Sequence, residues 1–165
     1  MKIERVFLER KGQAMFNNEI TEHILNSFLL ENGQFADVNL QSFLKTKVSK
    51  DAIKLSKYSV PDLARISFKE AMKGNFEPDS VGVRYGPTWS THWFKLEIVV
   101  PSEFAGQRVA LIFDPDCEAM VWSETGETLM GITGGGGGNR HVDFDLIEKA
   151  KGNEKIKLYI EVASN

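Results

Sequence analysis

The sequence has a single cysteine, Cys117, in 165 residues, so no disulfide can form within the chain. It has no Asn-X-Ser/Thr acceptor for N-glycosylation. No apolar run approaches the roughly 18 residues that a membrane-spanning helix requires. The N-terminus, Met1-Lys2-Ile3-Glu4-Arg5, is charged and lacks the apolar core of a signal peptide. Strong charge of either sign is missing too. Twenty Lys and Arg stand against 23 Asp and Glu, giving a net charge of −3 with the signs interspersed. That balance offers no nucleic-acid footprint and no polybasic membrane anchor. Together these absences predict a protein of a reducing compartment, the cytoplasm.

Core-forming residues are plentiful. Hydrophobic residues make up 42% and aromatics 10% of the chain, enough for one domain with a real core. The densest stretch is Gly86-Pro87-Thr88-Trp89-Ser90-Thr91-His92-Trp93-Phe94, a turn followed by aromatics. It runs into Lys95-Leu96-Glu97-Ile98-Val99-Val100. Phe94, Leu96, Ile98 and Val100 share one parity, while Lys95 and Glu97 share the other. Period 2 predicts a half-buried strand entered from a Gly-Pro turn, with Trp93 and Phe94 on opposite faces.

Two textures divide the chain. Residues 1–76 read as a helical or irregular N-terminal arm. Ile20, Ile24, Leu25, Phe28 and Leu29 recur at helical spacing, with Asn18 as N-cap and Gly33 past the end. Ile3, Val6 and Phe7 predict a shorter helix before it. Ser67-Phe68-Lys69-Glu70 is a capping-box signature for a short helix that stops near Gly74. Pro61 leaves Tyr58-Ser59-Val60 extended. Residues 77–165 read as strands, near 93–100, 108–113, 119–123, 128–132, 141–146 and 156–163. Glu124-Thr125-Gly126-Glu127 is a hairpin turn. Short strands with short connections predict two packed antiparallel sheets, a β-sandwich or jelly roll. The last strand runs to Asn165, so the chain is expected to be a piece of something longer.

Few constellations carry chemistry. Gly134 to Gly138 lacks the Lys-Ser/Thr and the helix of a phosphate loop, and reads as a flexible hairpin loop. His141-Val142-Asp143 has a metal-like spacing, but Val142, Phe144 and Leu146 take the apolar face and leave His141 and Asp143 on the solvent side. No third ligand is near in sequence. Asp114-Pro115-Asp116-Cys117-Glu118 reads as a solvated acidic turn, although paired carboxylates can cleave glycosides and acidic loops can hold calcium. His92 lacks a nucleophile signature beside it and reads as a packed, hydrogen-bonded histidine.

Seven ordered segments carry a resemblance. They include Asp37-Val38-Asn39-Leu40, Val60-Pro61-Asp62-Leu63 and Ser67-Phe68-Lys69-Glu70-Ala71. The strongest are Gly86 to Lys95, Cys117-Glu118-Ala119-Met120-Val121-Trp122, Gly131-Ile132-Thr133-Gly134-Gly135 and Leu158-Tyr159-Ile160-Glu161-Val162-Ala163. From about residue 20 onward the chain resembles the N-terminal region of cytosolic and vacuolar α-mannosidases of glycoside hydrolase family 38. The chain departs at Ser164, where similar proteins have Cys. The resemblance implies a mainly β, jelly-roll or galactose-binding-like sandwich with an N-terminal helical arm. It implies a non-catalytic accessory domain of an enzyme that removes terminal α-mannose. In that family zinc, the nucleophilic Asp and the acid/base sit in a large α/β domain downstream, so no catalytic residue, metal ligand or cofactor is expected here. The downstream catalytic domain is the expected partner, with a homo-oligomer in the full enzyme and mannose-containing oligosaccharide as a further ligand. A cytoplasmic location follows, or a vacuolar one reached without a signal peptide. The alternative is a carbohydrate-binding module that stacks sugar on an exposed Trp. The candidate interdomain or sugar-facing surface is Trp89, His92, Asp116, Glu118, Trp122 and Arg140.

Overall fold

The computed structural model describes residues 14–29, 44, 47–134 and 140–164. The chain divides into two compact units, 1–48 and 49–165. In the first, helix α1 spans Ala14–Leu29. It starts four residues before Asn18, so Asn18 lies inside the helix rather than capping it. Ile20, Ile24, Leu25 and Leu29 stand exposed along it. The expected helix near Ile3 and the stop at Gly33 lie outside the described residues.

The second unit holds two antiparallel sheets. The strands are β1 Ile53–Ser59, β2 Glu77–Pro78, β3 Thr91–Val99, β4 Val109–Ile112, β5 Ala119–Ser123, β6 Thr128–Ile132, β7 Asp143–Ile147 and β8 Lys155–Ala163. Six of them form one sheet in the order β2-β1-β3-β8-β5-β6, and β4 pairs with β7 in the other. The short helix α2, Phe68–Ala71, completes the unit. Its capping box is formed as the sequence predicts. The Glu70 backbone N–H donates to Ser67 Oγ at 3.3 Å, and the Ser67 N–H donates to Glu70 Oε2 at 2.8 Å. The Ser67 hydroxyl also donates to Glu70 Oε2 at 2.7 Å, and that bond, then the one from the Ser67 N–H, holds the Glu70 carboxyl below its ordinary range.

The sheet begins earlier than the two textures suggest. Ile53–Ser59 lies between β2 and β3, in a region read as helical or irregular. Its sequence, IKLSKYS, mixes two lysines and two serines among the apolar residues, which blurs the period-2 signal. Ile53 and Leu55 nevertheless face the main core. Lys57 reaches its ammonium over the Tyr85 ring, 4.4 Å from the centroid.

The two faces of the large sheet are both covered. On one face Phe94, Leu96 and Ile98 of β3, Leu158, Ile160 and Val162 of β8, and Ala119 and Val121 of β5 pack against Leu111 of β4 and Phe144 and Leu146 of β7. On the other, Tyr58, Trp93, Trp122 and Tyr159 are covered by the segment from Ile66 to Phe76. The expectation of a half-buried β3 is therefore corrected at its first half. Trp93 is 0% exposed and Phe94 4%, on opposite faces. The reason is α2. Phe68 sits edge-on to Trp93 (5.8 Å, 70°) and Tyr159 (5.5 Å, 86°) and is stacked on Trp122 (5.5 Å, 24°).

Phe94→Ala should cost about 3–5 kcal/mol, the usual penalty for a buried ring truncated to a cavity. The measurement is the denaturant midpoint, which should fall at unchanged slope. A midpoint equal to that of the parent chain would place Phe94 outside the core.

Candidate functional site

Register places four of the sequence candidates at one end of the large sheet. Thr91 at the start of β3 pairs with Ala163 near the end of β8. Ala119 at the start of β5 pairs with Val162 of β8 and with Ile132 at the end of β6. The segments entering and leaving these four strand ends carry Trp89, Asp116, Glu118 and Arg140. All four are exposed.

Trp89 is the most prominent of them. Its side chain is 65% exposed, and its backbone sits at φ 69°, in the left-handed region. A bulky residue there is strained. The conformation is tied in place from both sides. The Trp89 N–H donates to the Ser164 carbonyl, and the Ser164 N–H donates to the Ser90 carbonyl at 2.9 Å.

The acidic turn is organised around Arg140. Its guanidinium donates to Asp114 Oδ1 and lies 3.6 Å from Asp116 Oδ1. The Asp116 N–H donates to Asp114 Oδ1 at 3.2 Å, and Asp116 takes φ 60°. These carboxylates are thus satisfied by a cation and a backbone donor, as in a structural turn. Gly134 packs on this turn. A Cβ there would meet the Cys117 backbone N and O at 2.2 Å, so only glycine fits. The loop base is closed by the Thr133 and His141 backbones, with bonds of 3.1 and 3.2 Å. Gly135 to Asn139 lie outside the described residues. His141 and Asp143 are exposed and 3.7 Å apart, on the solvent side as period 2 predicts. Among the described residues no group of three His, Cys, Asp or Glu could hold a metal ion.

His92 and Trp122 are corrections to the candidate surface. His92 is buried. Its Nε2 lies 2.9 Å from Ser90 Oγ and its Nδ1 2.9 Å from Ser59 Oγ. Burial, then the Lys57 charge, lower its pKa, while Asp79 acts weakly the other way. Asp79 does not orient the ring as in a triad, because it accepts from the Tyr85 hydroxyl. Tyr85 instead packs beside His92, 5.0 Å between ring centroids. Trp122 is half-buried because its strand parity turns it under Phe68 rather than to solvent.

A shallow cleft of about 260 Å³ opens near the same end, lined by Thr91, Glu118, Met120 and Ala163 together with Arg65 and Glu161. Arg65 and Glu161 were not among the sequence candidates. Glu161 alternates with Tyr159 on the face that period 2 marks as polar. Tyr159 on that face was the available signal that it is covered.

A family model described as "Alpha-mannosidase, jelly roll domain" matches residues 50–165. Alpha-mannosidase G of Dictyostelium discoideum is 30% identical over 155 residues, which is 93% of this chain and 14% of that protein. Alpha-mannosidase 2C1 of Mus musculus is 35% identical over 131 residues, 79% of this chain and 12% of that protein. An alpha-mannosidase of Saccharomyces cerevisiae is 30% identical over 165 residues, covering 88% and 15%. The chain thus spans about one-seventh of the length of the curated relatives it matches. No helix among the described residues is long and apolar enough to cross a membrane.

His92 generates a pH prediction. Its folded pKa is lowered below the unfolded value of about 6.5. The unfolded chain therefore binds this proton first as pH falls. Stability contributed by the neutral ring is complete above pH 6.5 and is lost as pH drops from there toward the lowered folded value, at up to about 1.4 kcal/mol per pH unit. Denaturation at pH 7.5 and 5.5 should show this loss. His92→Gln should shrink it, and an identical pH slope in that variant would show that another group carries it.

Proposed function

Since the chain belongs to the α-mannosidase jelly roll domain family, we propose that it is a non-catalytic accessory domain of an α-mannosidase, packed against the rest of that polypeptide. The observation that carries this reading is Trp89. A large apolar side chain is held in solvent on a strained backbone, at a cost on the order of 1–3 kcal/mol. Backbone hydrogen bonds to Ser164 hold the turn, but the exposed side chain itself gains no burial within the described unit. A contact with the remaining polypeptide would supply it, because central interface positions favour aromatic anchors. Val81 and Val83, in the loop leading to Trp89, are exposed as well.

The chemistry then belongs elsewhere in the enzyme. In this reading the zinc and the catalytic carboxylates of family 38 come from the downstream domain, which acts on terminal α-mannose in a cytoplasmic or vacuolar homo-oligomer. The alternative, a sugar-stacking module, is narrowed by the fold. Trp93 is buried and Trp122 is half-buried, which leaves Trp89 as the platform.

Two outcomes are expected. The purified chain should not hydrolyse an aryl α-mannoside, with or without added zinc. Turnover that co-purifies with the chain would refute the accessory reading. Trp89→Gly should remove the strain and cost the isolated chain less than about 1 kcal/mol. A larger loss in thermal denaturation would mean that Trp89 serves the fold of this chain rather than a contact outside it.

A further inference from the structure

The loop that presents Trp89 is tied down over a buried histidine. It runs from Asp79, just past β2, to Ser90, just before β3, and carries Val81, Val83 and Trp89 in solvent. Its two ends are held by backbone bonds, the Asp79 N–H to the Leu55 carbonyl at 3.1 Å and the Ser164 N–H to the Ser90 carbonyl at 2.9 Å. Between those ends Tyr85 packs on the sheet. Its ring lies 5.0 Å from that of His92 and meets Phe94 edge-on at 5.5 Å and 73°. Its hydroxyl donates to Asp79. Burial, then that bond, hold the hydroxyl pKa above its ordinary value.

β1 brings Ser59 to the His92 ring, and with it the Lys57 ammonium, 4.4 Å over the Tyr85 ring. The loop brings Ser90, Tyr85 and Asp79. β8 brings Val162, the apolar register partner of His92. Lys57 and Asp79 are the charges that act on the ring, with opposite signs, and Asp79 is already engaged by Tyr85. Arg84, beside Tyr85 in the chain, is exposed.

A neutral imidazole has one donor and one acceptor nitrogen, and a serine hydroxyl can meet either. Ser59 and Ser90, each 2.9 Å from a ring nitrogen, therefore satisfy the neutral ring in either tautomer. A protonated ring has two donors and no acceptor. The serine that donated must turn its hydrogen away, and the new charge is buried near an ammonium. Water relieves both faults, and the cover that keeps water out is Tyr85. Hydrating the charge means lifting Tyr85, and with it the loop. Lifting Tyr85 also frees Asp79, an anion that favours the imidazolium.

We propose that His92 is an acid-operated latch: protonation of its ring releases Tyr85 and the 79–90 loop from the sheet and withdraws Trp89 from the contact it makes outside this chain. The latch rests on the reading of Trp89 as a contact residue and adds a condition under which that contact breaks.

The test is an NMR titration of the ¹⁵N-labelled 165-residue chain from pH 7.5 to 5.0. It follows the histidine rings and the three tryptophan indole N–H signals, assigned by His→Gln and Trp→Phe variants. The Trp89 indole should shift with the same midpoint as the His92 ring, below the ordinary histidine value of about 6.5, while the Trp93 and Trp122 indoles stay fixed. Protection of the Trp89 backbone N–H against hydrogen exchange should fall roughly tenfold or more over the same range. His92→Gln should leave the Trp89 indole unresponsive. Lys57→Met should move both midpoints to higher pH together, and it tests the latch even where His92→Gln fails to fold. A His92 ring that titrates with no change at Trp89 would overturn the proposal. So would a ring still neutral at pH 5.0, a Trp89 response that persists in His92→Gln, or one shared by Trp93 and Trp122, which is unfolding of the whole unit. A large loss of stability in Trp89→Gly would refute the contact reading instead, so the two failures are distinguishable.

Discussion

Burial of β3 on both faces is the constraint on which the rest of the structure depends. Trp93 and Phe94 are adjacent, point to opposite sides of one sheet, and are both out of solvent. Phe94 needs a second sheet over it, and β4 with β7 provides one. Trp93 needs a separate cover, and a strand layer is not available on that side. The segment from Ile66 to Phe76 supplies it with a single helical turn and a few aromatic rings. A helix of four residues has almost no stability of its own. It persists because its capping box fixes its first turn and because Phe68 is held among Trp93, Trp122 and Tyr159. Local capping and long-range packing thus stabilise the same few residues.

That covered face has an electrostatic consequence. β8 alternates Lys157, Tyr159 and Glu161 on the side away from the main core. Lys157 remains near solvent and pairs with Glu124, which holds its pKa up. Glu161 lies closer to the aromatic cover and, among the described residues, makes no such ion pair, although the Arg65 charge acts on it. The same strand face therefore passes from an ordinary surface ion pair to a partly desolvated carboxylate within five residues. Burial pushes the Glu161 carboxyl up, and the Trp122 indole and the Arg65 charge partly offset that cost.

Much of this architecture was legible in the sequence, and the failures have physical causes. The strands at 119–123 and 128–132 coincide with the observed β5 and β6, because their turn residues sit at the ends of clean apolar runs. The Ser67–Glu70 box was legible because a cap is a local interaction. β1 was hidden, since its long polar side chains are tolerated at a sheet flank where Lys57 can lie over Tyr85. The placement of His92 and Trp122 was only partly legible. Parity says which side of a strand a residue takes, and not whether that side is covered. The cleft was not legible at all. Glu161 and Arg65 are 96 positions apart, and only the register of β3, β8 and β5, together with the fold-back of the segment before α2, brings them to one space.

The nine residues from Gly86 to Phe94 show why a sequence signature can be highly specific without being catalytic. Each part of it answers a different neighbour. Trp89 and Ser90 exchange backbone hydrogen bonds with Ser164, locking the start of β3 to the end of β8. The Thr91 carbonyl accepts from the Val60 N–H at 2.9 Å, tying the same point to the end of β1 and to the chain that leads into α2. The Ser90 hydroxyl meets His92, Trp93 fills the space under Phe68, and Phe94 enters the opposite core. A substitution at any of these positions disturbs a different contact, so none can be compensated by its neighbour. Only the Trp89 side chain makes no such demand on the fold. Its exposure, at the one strained point of an otherwise satisfied junction, is what turns a structural signature into a surface.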